Sequence, residues 1–446
     1  MRESERVSTV ARARRLMAAL TVWAPGWNRY NGQMSRVPPA RSIRVGADVS
    51  MRTRHYRTSF DSYNERVPAN IRREIGQLLI GSLPGTTIPP ELRSLAREFQ
   101  LGGVILFARN IEEPEQVAEL SQDVQSLATE TPLWVSVDQE GGRVARLRAP
   151  FTEWPPMATL GRSGDAVLAG RFAAALATEL RAVGITLDYA PVLDIHTNPK
   201  NPVIGDRALA EDAATVGALG SAIIAGLQEN GVAACGKHFP GHGDTSTDSH
   251  LELPVVEHPP DRIRRVEFVP FRDAIRADVA FMMTAHVLVP SLDEEKPATL
   301  SPKIVRGLLR HELGYEGVIL SDDLEMEALA KTYAPAESAV EAIAAGCDGV
   351  LVCRNTAALR ANPADHAKDI DVQVEVLEAL VHAVEDGRIP YKRVEDALRR
   401  QRLAKERFLV SARHGTLNPS RLETPLAAVL GCDSHRRIAD EMARFL

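Results

Sequence analysis

From about Val67 onward the chain repeats one pattern: a short run that is apolar on both faces, then a longer amphipathic stretch. The apolar runs are 77–83, 103–107, 133–138, 185–191, 232–239, 279–286, 317–322 and 348–353. A strand with one wet face alternates apolar and polar residues, so runs without alternation predict parallel strands covered on both sides. The stretches 113–127, 166–182, 210–229 and 262–276 carry apolar residues at helical spacing. Eight strands alternating with helices over about 300 residues predict an α/β fold, a (β/α)8 TIM-type barrel, rather than an open sheet. From about Asp371 the strands stop and two or three helices follow. The expected organisation is a barrel over 66–410 with a helical C-terminal tail over 411–446. An open, doubly wound sheet would need a glycine-rich phosphate turn after its first strand. Neither Leu83-Pro84-Gly85 nor the loop at Gly241–Gly243 supplies GxGxxG, and GxxxxGK[ST] is absent.

Charge separates the first sixty or so residues from the rest. Up to Arg57 there are twelve Arg, no Lys and three acids, a local +9 in a chain whose net charge is -6, so the remainder carries -15. A body that acidic is a poor partner for nucleic acid. Residues 1–65 show no sustained period and read as a disordered basic extension, with Met34 and Met51 as alternative starts. The apolar run 16–24 behind Arg14–Arg15 has the charge order of a signal peptide, but Pro25-Gly26-Trp27 gives no small-x-small cleavage site. No stretch reaches the ~18 uncharged apolar residues of a membrane span. The cysteines (Cys235, Cys347, Cys353, Cys432) form no CxxC and read as free thiols of a reducing compartment.

Polar residues gather where the strands end: Asp138 after the third, Asp194 and His196 after the fourth, Lys237–His238 at the fifth, His286 at the sixth, Asp322–Asp323 at the seventh and Arg354 at the eighth. In a barrel the C-terminal strand ends converge on one pocket. The densest stretch, 237–250, holds Lys237, His238, His242, Asp244, Asp248 and His250 among Gly, Ser and Thr, a composition for a mobile loop facing the pocket. Metal ligation is one reading of such residues. The spacing argues against it, since Asp248 and His250 are two apart and His311-Glu312 does not continue as HExxH. Acid–base chemistry fits better: Asp248 can hold one ring nitrogen of His250 and raise the basicity of the other, with Asp322 supplying a carboxylate nucleophile. There is no GxSxG elbow for a serine nucleophile. Carboxylate plus imidazole, with Lys and Arg for hydroxyls, points to a sugar acetal.

The run from Lys237 to His250 resembles the KHFPGHG…DSH signature of family 3 glycoside hydrolases, specifically the single-domain bacterial β-N-acetylhexosaminidases. Ser321-Asp322-Asp323-Leu324-Glu325-Met326 is similar to their nucleophile segment, and 137–147 and 187–207 to their sugar-binding segments. The likeness covers about residues 70–410, with four motifs in the family's order. It implies a retaining double displacement: Asp322 as nucleophile, His250 as acid–base and Asp248 orienting it, with Asp323 a local hydrogen-bonding or capping residue. It further implies that Asp138, Arg146, Arg207, Lys237 and His238 bind a terminal N-acetylglucosamine. No metal or organic cofactor is expected. The bland reading of Arg207 is an ion pair with Asp194 or Asp206. His242 and Asp244 are expected to shape the loop, and Phe239, Tyr189 and Trp134 to pack. Many family members carry a second domain that donates a Glu acid. No such domain is expected here, which leaves the local dyad. The expectation is therefore a cytoplasmic exo-β-N-acetylglucosaminidase acting on peptidoglycan fragments. A β-glucosidase or a phosphorolytic variant would share most motifs, and a non-catalytic sugar-binding relative would lose Asp322, Asp248 and His250, all present here.

Overall fold

The computed structural model describes residues 67–245, 253–354, 369–410 and 425–446. The expected basic extension, residues 1–65, lies outside them. Eight parallel strands close into a barrel in sequence order: β1 Leu79–Gly81, β2 Gly103–Leu106, β3 Trp134–Val137, β4 Leu187–Asp188, β5 Ala233–Phe239, β6 Phe281–Thr284, β7 Val318–Asp323 and β8 Gly349–Val352. Each falls on one predicted run. Closure is by β1 on β8, with Ile80 opposite Leu351. A helix follows every strand, from Pro90–Phe99 after β1 to Asp369–Glu385 after β8, so the α/β barrel expected from the pattern is the fold observed.

Helix starts follow local capping chemistry. Asp165 accepts the N–H groups of Val167 and Leu168 ahead of the helix Ala166–Ala182, and Asp212 accepts that of Thr215 ahead of Ala213–Glu229. Each supplies an acceptor to a helix end that lacks one. The predicted helix 262–276 is in fact two, Pro260–Arg265 and Phe268–Arg276. The break puts Pro270 in the first turn of the second helix, where its missing N–H costs nothing.

Side chains on β3 alternate between two cores. Val135 and Val137 pack outward against the helices, whereas Trp134 joins Tyr189, Phe281 and Cys235 inside the barrel. Trp134 meets the Phe281 ring edge-on at 5.1 Å, and Ser136 Oγ sits 2.9 Å from the Tyr189 hydroxyl. By the same period of two, Asp138 and Lys237 continue the inward rows of β3 and β5 towards the C-terminal mouth. The N-terminal end is stoppered by the helix Tyr391–Lys405 and the turn after it. Phe408 and Leu409 belong to the interior core, and Trp134 Nε1 donates to Gln401 Oε1 at 3.3 Å. Phe239, Tyr189 and Trp134 are fully buried packing residues, as expected. Of the free cysteines, Cys235, Cys347 and Cys353 are buried and Cys432 is partly exposed.

Candidate active site

The ends of β3 and β5 build a charged cluster. Lys237 Nζ lies 2.8 Å from Asp138 Oδ1 and 2.6 Å from Glu140 Oε1. Arg146 closes on the other oxygen of Asp138 at 3.1 Å. Arg207, in the turn Gly205–Arg207, grips Glu140 with two parallel bonds of 2.9 and 2.8 Å. Burial alone would raise both carboxyls. Lys237 and then Arg146 hold Asp138 below its ordinary value, and Arg207 and Lys237 do the same more strongly for Glu140. Against the same burial, the two carboxylates hold Lys237 and Arg207 above theirs. Three cations face two anions, and the cluster stays ionised.

Its members are not used up. Among the described residues, the Lys237 ammonium spends two of its three N–H bonds, and each Asp138 oxygen takes one donor and keeps a lone pair. Asp138 is 19% exposed and Arg146 23%, so the pair is open at the C-terminal end of the barrel, while Lys237 and Glu140 are buried. Vicinal sugar hydroxyls need such a mix of charged acceptors and donors. A buried amide fixes Arg146. Gln139 Oε1 accepts the N–H groups of Arg146 (2.7 Å) and Leu147 (3.0 Å), its Nε2 donates to the Leu147 carbonyl, and its own N–H goes to Asp188.

The second constellation centres on Asp194. Its Oδ2 is 2.6 Å from His238 Nδ1, and its Oδ1 accepts the N–H groups of His242 (2.7 Å) and His238 (3.3 Å). A carboxylate only accepts, so the His238 proton sits on Nδ1 and Nε2 is left for another partner. His242 lies inside the loop, with Nδ1 2.7 Å from Thr245 Oγ1, and burial pushes it down to about 4, so the ring is neutral at ordinary pH. Asn201 ties the same stretch down by donating to the His242 carbonyl, and Asp244 accepts from Thr197 Oγ1 at 2.8 Å. Residues 246–252 follow, and Asp248 and His250 lie with them outside the described residues.

Asp322 is the penultimate residue of β7, half-buried, with Oδ1 accepting the N–H of Asp323 at 2.8 Å. Its charge bears on His286, Cys235 and Cys353, side chains at the ends or interior of three other strands. Asp323 turns instead to the backbone, taking the N–H groups of Glu325 and Cys353 at 3.1 Å each. Burial, and then the neighbouring Glu325, push its carboxyl well above its ordinary value. His286 Nε2 donates to the Asp323 carbonyl at 2.9 Å, and burial lowers the basicity of the ring. That bond braces the peptide next to Asp322.

The ion pair of Arg207 differs from the sequence reading. Arg207 pairs with neither Asp194 nor Asp206: Asp206 binds Arg143 at 3.1 Å, Asp194 binds His238, and the Arg207 partner is Glu140. Glu140, Gln139 and the bracing role of His286 were not anticipated. Among the described residues no group of three or more His, Cys, Asp or Glu is arranged to hold a metal ion, and no helix is long and apolar enough to cross a membrane.

Residues 70–403 match the glycosyl hydrolase family 3 N-terminal domain. The chain belongs to glycosyl hydrolase family 3. It is a glycoside hydrolase by that membership. A β-hexosaminidase A of Pseudoalteromonas piscicida is 35% identical over 382 residues, covering 80% of this chain, which spans 60% of that relative. A β-hexosaminidase of Thiobacillus denitrificans is 41% identical over 287 residues, 63% of this chain and 79% of the relative. Among solved structures, a family 3 β-N-acetylglucosaminidase from Paenibacillus superposes with a TM-score of 0.75 at 40% identity, covering 84% of this chain and 68% of that one. NagZ from Neisseria gonorrhoeae, solved with N-trifluoroacetyl-D-glucosamine, gives 0.62 at 34% identity, covering 79% of this chain and 98% of its own.

Proposed function

We propose that this family 3 enzyme is an exo-β-N-acetylglucosaminidase that removes terminal N-acetylglucosamine with retention of configuration. The observation that carries the reading is the Asp138–Lys237–Arg146 cluster, whose open lone pairs and N–H groups lie at the barrel mouth shared with Asp322. In the first step an Asp322 oxygen attacks C1, the bond from C1 to the leaving oxygen breaks, and His250 gives that oxygen a proton. Water then attacks C1, returns a proton to His250 and frees Asp322. Two inversions at one carbon leave the β configuration. Asp248 orients the imidazole, which acts without placing a second carboxylate beside the nucleophile. Asp138, Arg146, Lys237 and His238 hold the hydroxyls, and Arg207 acts through Glu140. The N-acyl preference draws on the relatives' names and on the N-acylated glucosamine bound to the Neisseria protein. Peptidoglycan fragments are the natural substrate class in this reading. A cytoplasmic site accords with four unpaired cysteines.

The test compares aryl β-N-acetylglucosaminide with aryl β-glucoside, each with and without inorganic phosphate. Faster turnover of the N-acetylated substrate, unaffected by phosphate, is expected. A preference for the plain glucoside, or a sugar phosphate as product, overturns the reading. His250→Ala sharpens it: activity on an activated aryl leaving group falls less than on a poor one, which needs the proton more.

A further inference from the structure

The helices after residue 424 lie beyond the stretch that matches the family, yet they touch the loop that presents Arg146. Glu179 makes the connection. It sits in the helix after β3 with only 1% of its side chain exposed, and its partners come from two places. The loop supplies the Thr152 N–H at 2.9 Å and the Thr152 hydroxyl at 2.6 Å. The tail supplies the Gly431 N–H at 2.9 Å and His435 Nδ1 at 2.8 Å. Those hydrogen bonds more than offset burial, which alone would raise the Glu179 carboxyl, and hold it below its ordinary value. Gly431 has a φ of +53°, and a Cβ there would collide with the Pro150 carbonyl, so tail and loop are in backbone contact. Leu430, Ile438 and Met442 are buried in the outer core, and Arg162 Nε donates to the Phe445 carbonyl.

The loop transmits this grip because it is folded on itself. Glu140 N–H bonds to the Val144 carbonyl at 2.9 Å and Gly142 N–H to the Trp154 carbonyl at 2.8 Å. Trp154 in turn packs edge-on against Phe172, 5.0 Å between ring centres. Holding Pro150–Thr152 therefore limits where Glu140 and Arg146 can go.

We propose that the C-terminal segment 425–446 is a strut for the sugar-binding loop, with His435 and Glu179 as positioning residues. The inference deepens the proposed function and rests on Arg146 and Asp138 meeting the sugar. Without the tail Glu179 Oε1 loses two of its three donors, and a buried carboxylate left short of partners pulls on Thr152.

The test uses the full chain with His435→Ala and with His435→Asn, whose side-chain amide N–H stands where Nδ1–H stood. Amide exchange over residues 141–154 is expected to speed up in His435→Ala and to return to the wild-type rate in His435→Asn. The KM for the aryl N-acetylglucosaminide is expected to rise about fivefold in His435→Ala with kcat within about twofold, since loosened substrate binding alone has that signature. A variant that unfolds at lower temperature but keeps loop exchange and KM unchanged overturns the strut. Failure to restore loop exchange in His435→Asn also overturns it. Arg146→Lys in the same assay separates the two claims: an unchanged KM there counts against Arg146 as a sugar contact, while loop exchange still decides the strut.

Discussion

The two ends of this barrel use the same side chains differently. At the N-terminal end Asp348, fully buried, is surrounded by Arg310 at 2.5 Å, Arg393, Arg400 at 3.4 Å and the Ile319 N–H at 3.0 Å. Both oxygens are taken twice over. At the C-terminal mouth each Asp138 oxygen has one donor among the described residues, and the side chain is partly exposed. A carboxylate saturated by protein joins elements together, here β8 to the helices Lys303–Glu312 and Tyr391–Lys405. A carboxylate left half-satisfied and half-open is available to a ligand. The difference lies in how many donors reach the group, and that is decided by loop geometry.

Substitutions at the two ends should therefore separate activity from stability. The largest effect is expected for Asp322→Ala, whose kcat should fall at least about 10³-fold because the covalent route is lost. Its thermal midpoint, read by calorimetry, should stay close to wild type. Asp348→Ala should do the reverse. It strips three arginines of their shared counterion and should cost about 3–5 kcal/mol in denaturant titration, as breaking a buried pair does. The kcat of the folded fraction should remain within about twofold. A large loss of kcat there would mean the ends are not independent.

The smallest and most specific effect belongs to Lys405, which is buried with Gln77 Oε1 at 2.8 Å, and which burial lowers to about 7. Between that value and its ordinary 10.5 the unfolded chain holds a proton that the folded chain has given up. Stability therefore rises with pH across this window, and the full penalty applies below it. Lys405→Met should raise the unfolding midpoint over wild type near pH 6, and the gain should shrink at about pH 9. A gain independent of pH would mean that folded Lys405 keeps its proton up to about pH 9, with no depressed value.

Much of this was legible in the sequence because it is local. Two-sided apolar runs marked all eight strands, and the polar residues at their C-terminal ends picked out Asp138, Lys237 and Asp322. Position along a strand already fixes which way such a side chain points. The errors arose where a partner is remote in sequence. Arg207 finds Glu140 across 67 residues, through two irregular loops whose paths no periodicity encodes. The arginines around Asp348, at the start of the run 348–353, come from two other elements and leave no local signal. The Gln139 and Glu179 anchors are invisible for the same reason: each is defined by backbone N–H groups of a folded loop. β4 is shorter than its run, ending at Asp188, although Val192, beyond Pro191, still bridges to Lys237 of β5. The expected dyad of Asp248 and His250 rests on spacing alone and lies outside the described residues.

The account turns on which atom attacks the sugar. Incubation with an activated 5-fluoro N-acetylglucosaminyl fluoride, which keeps the acetamido group at C2, followed by proteolysis and peptide mapping, addresses that directly. The expected result is one sugar ester on the peptide containing Ser321–Glu325, with fragmentation placing it on Asp322. A label on another side chain, on Asp323 included, or inactivation-free turnover with no label on any peptide, would contradict the account.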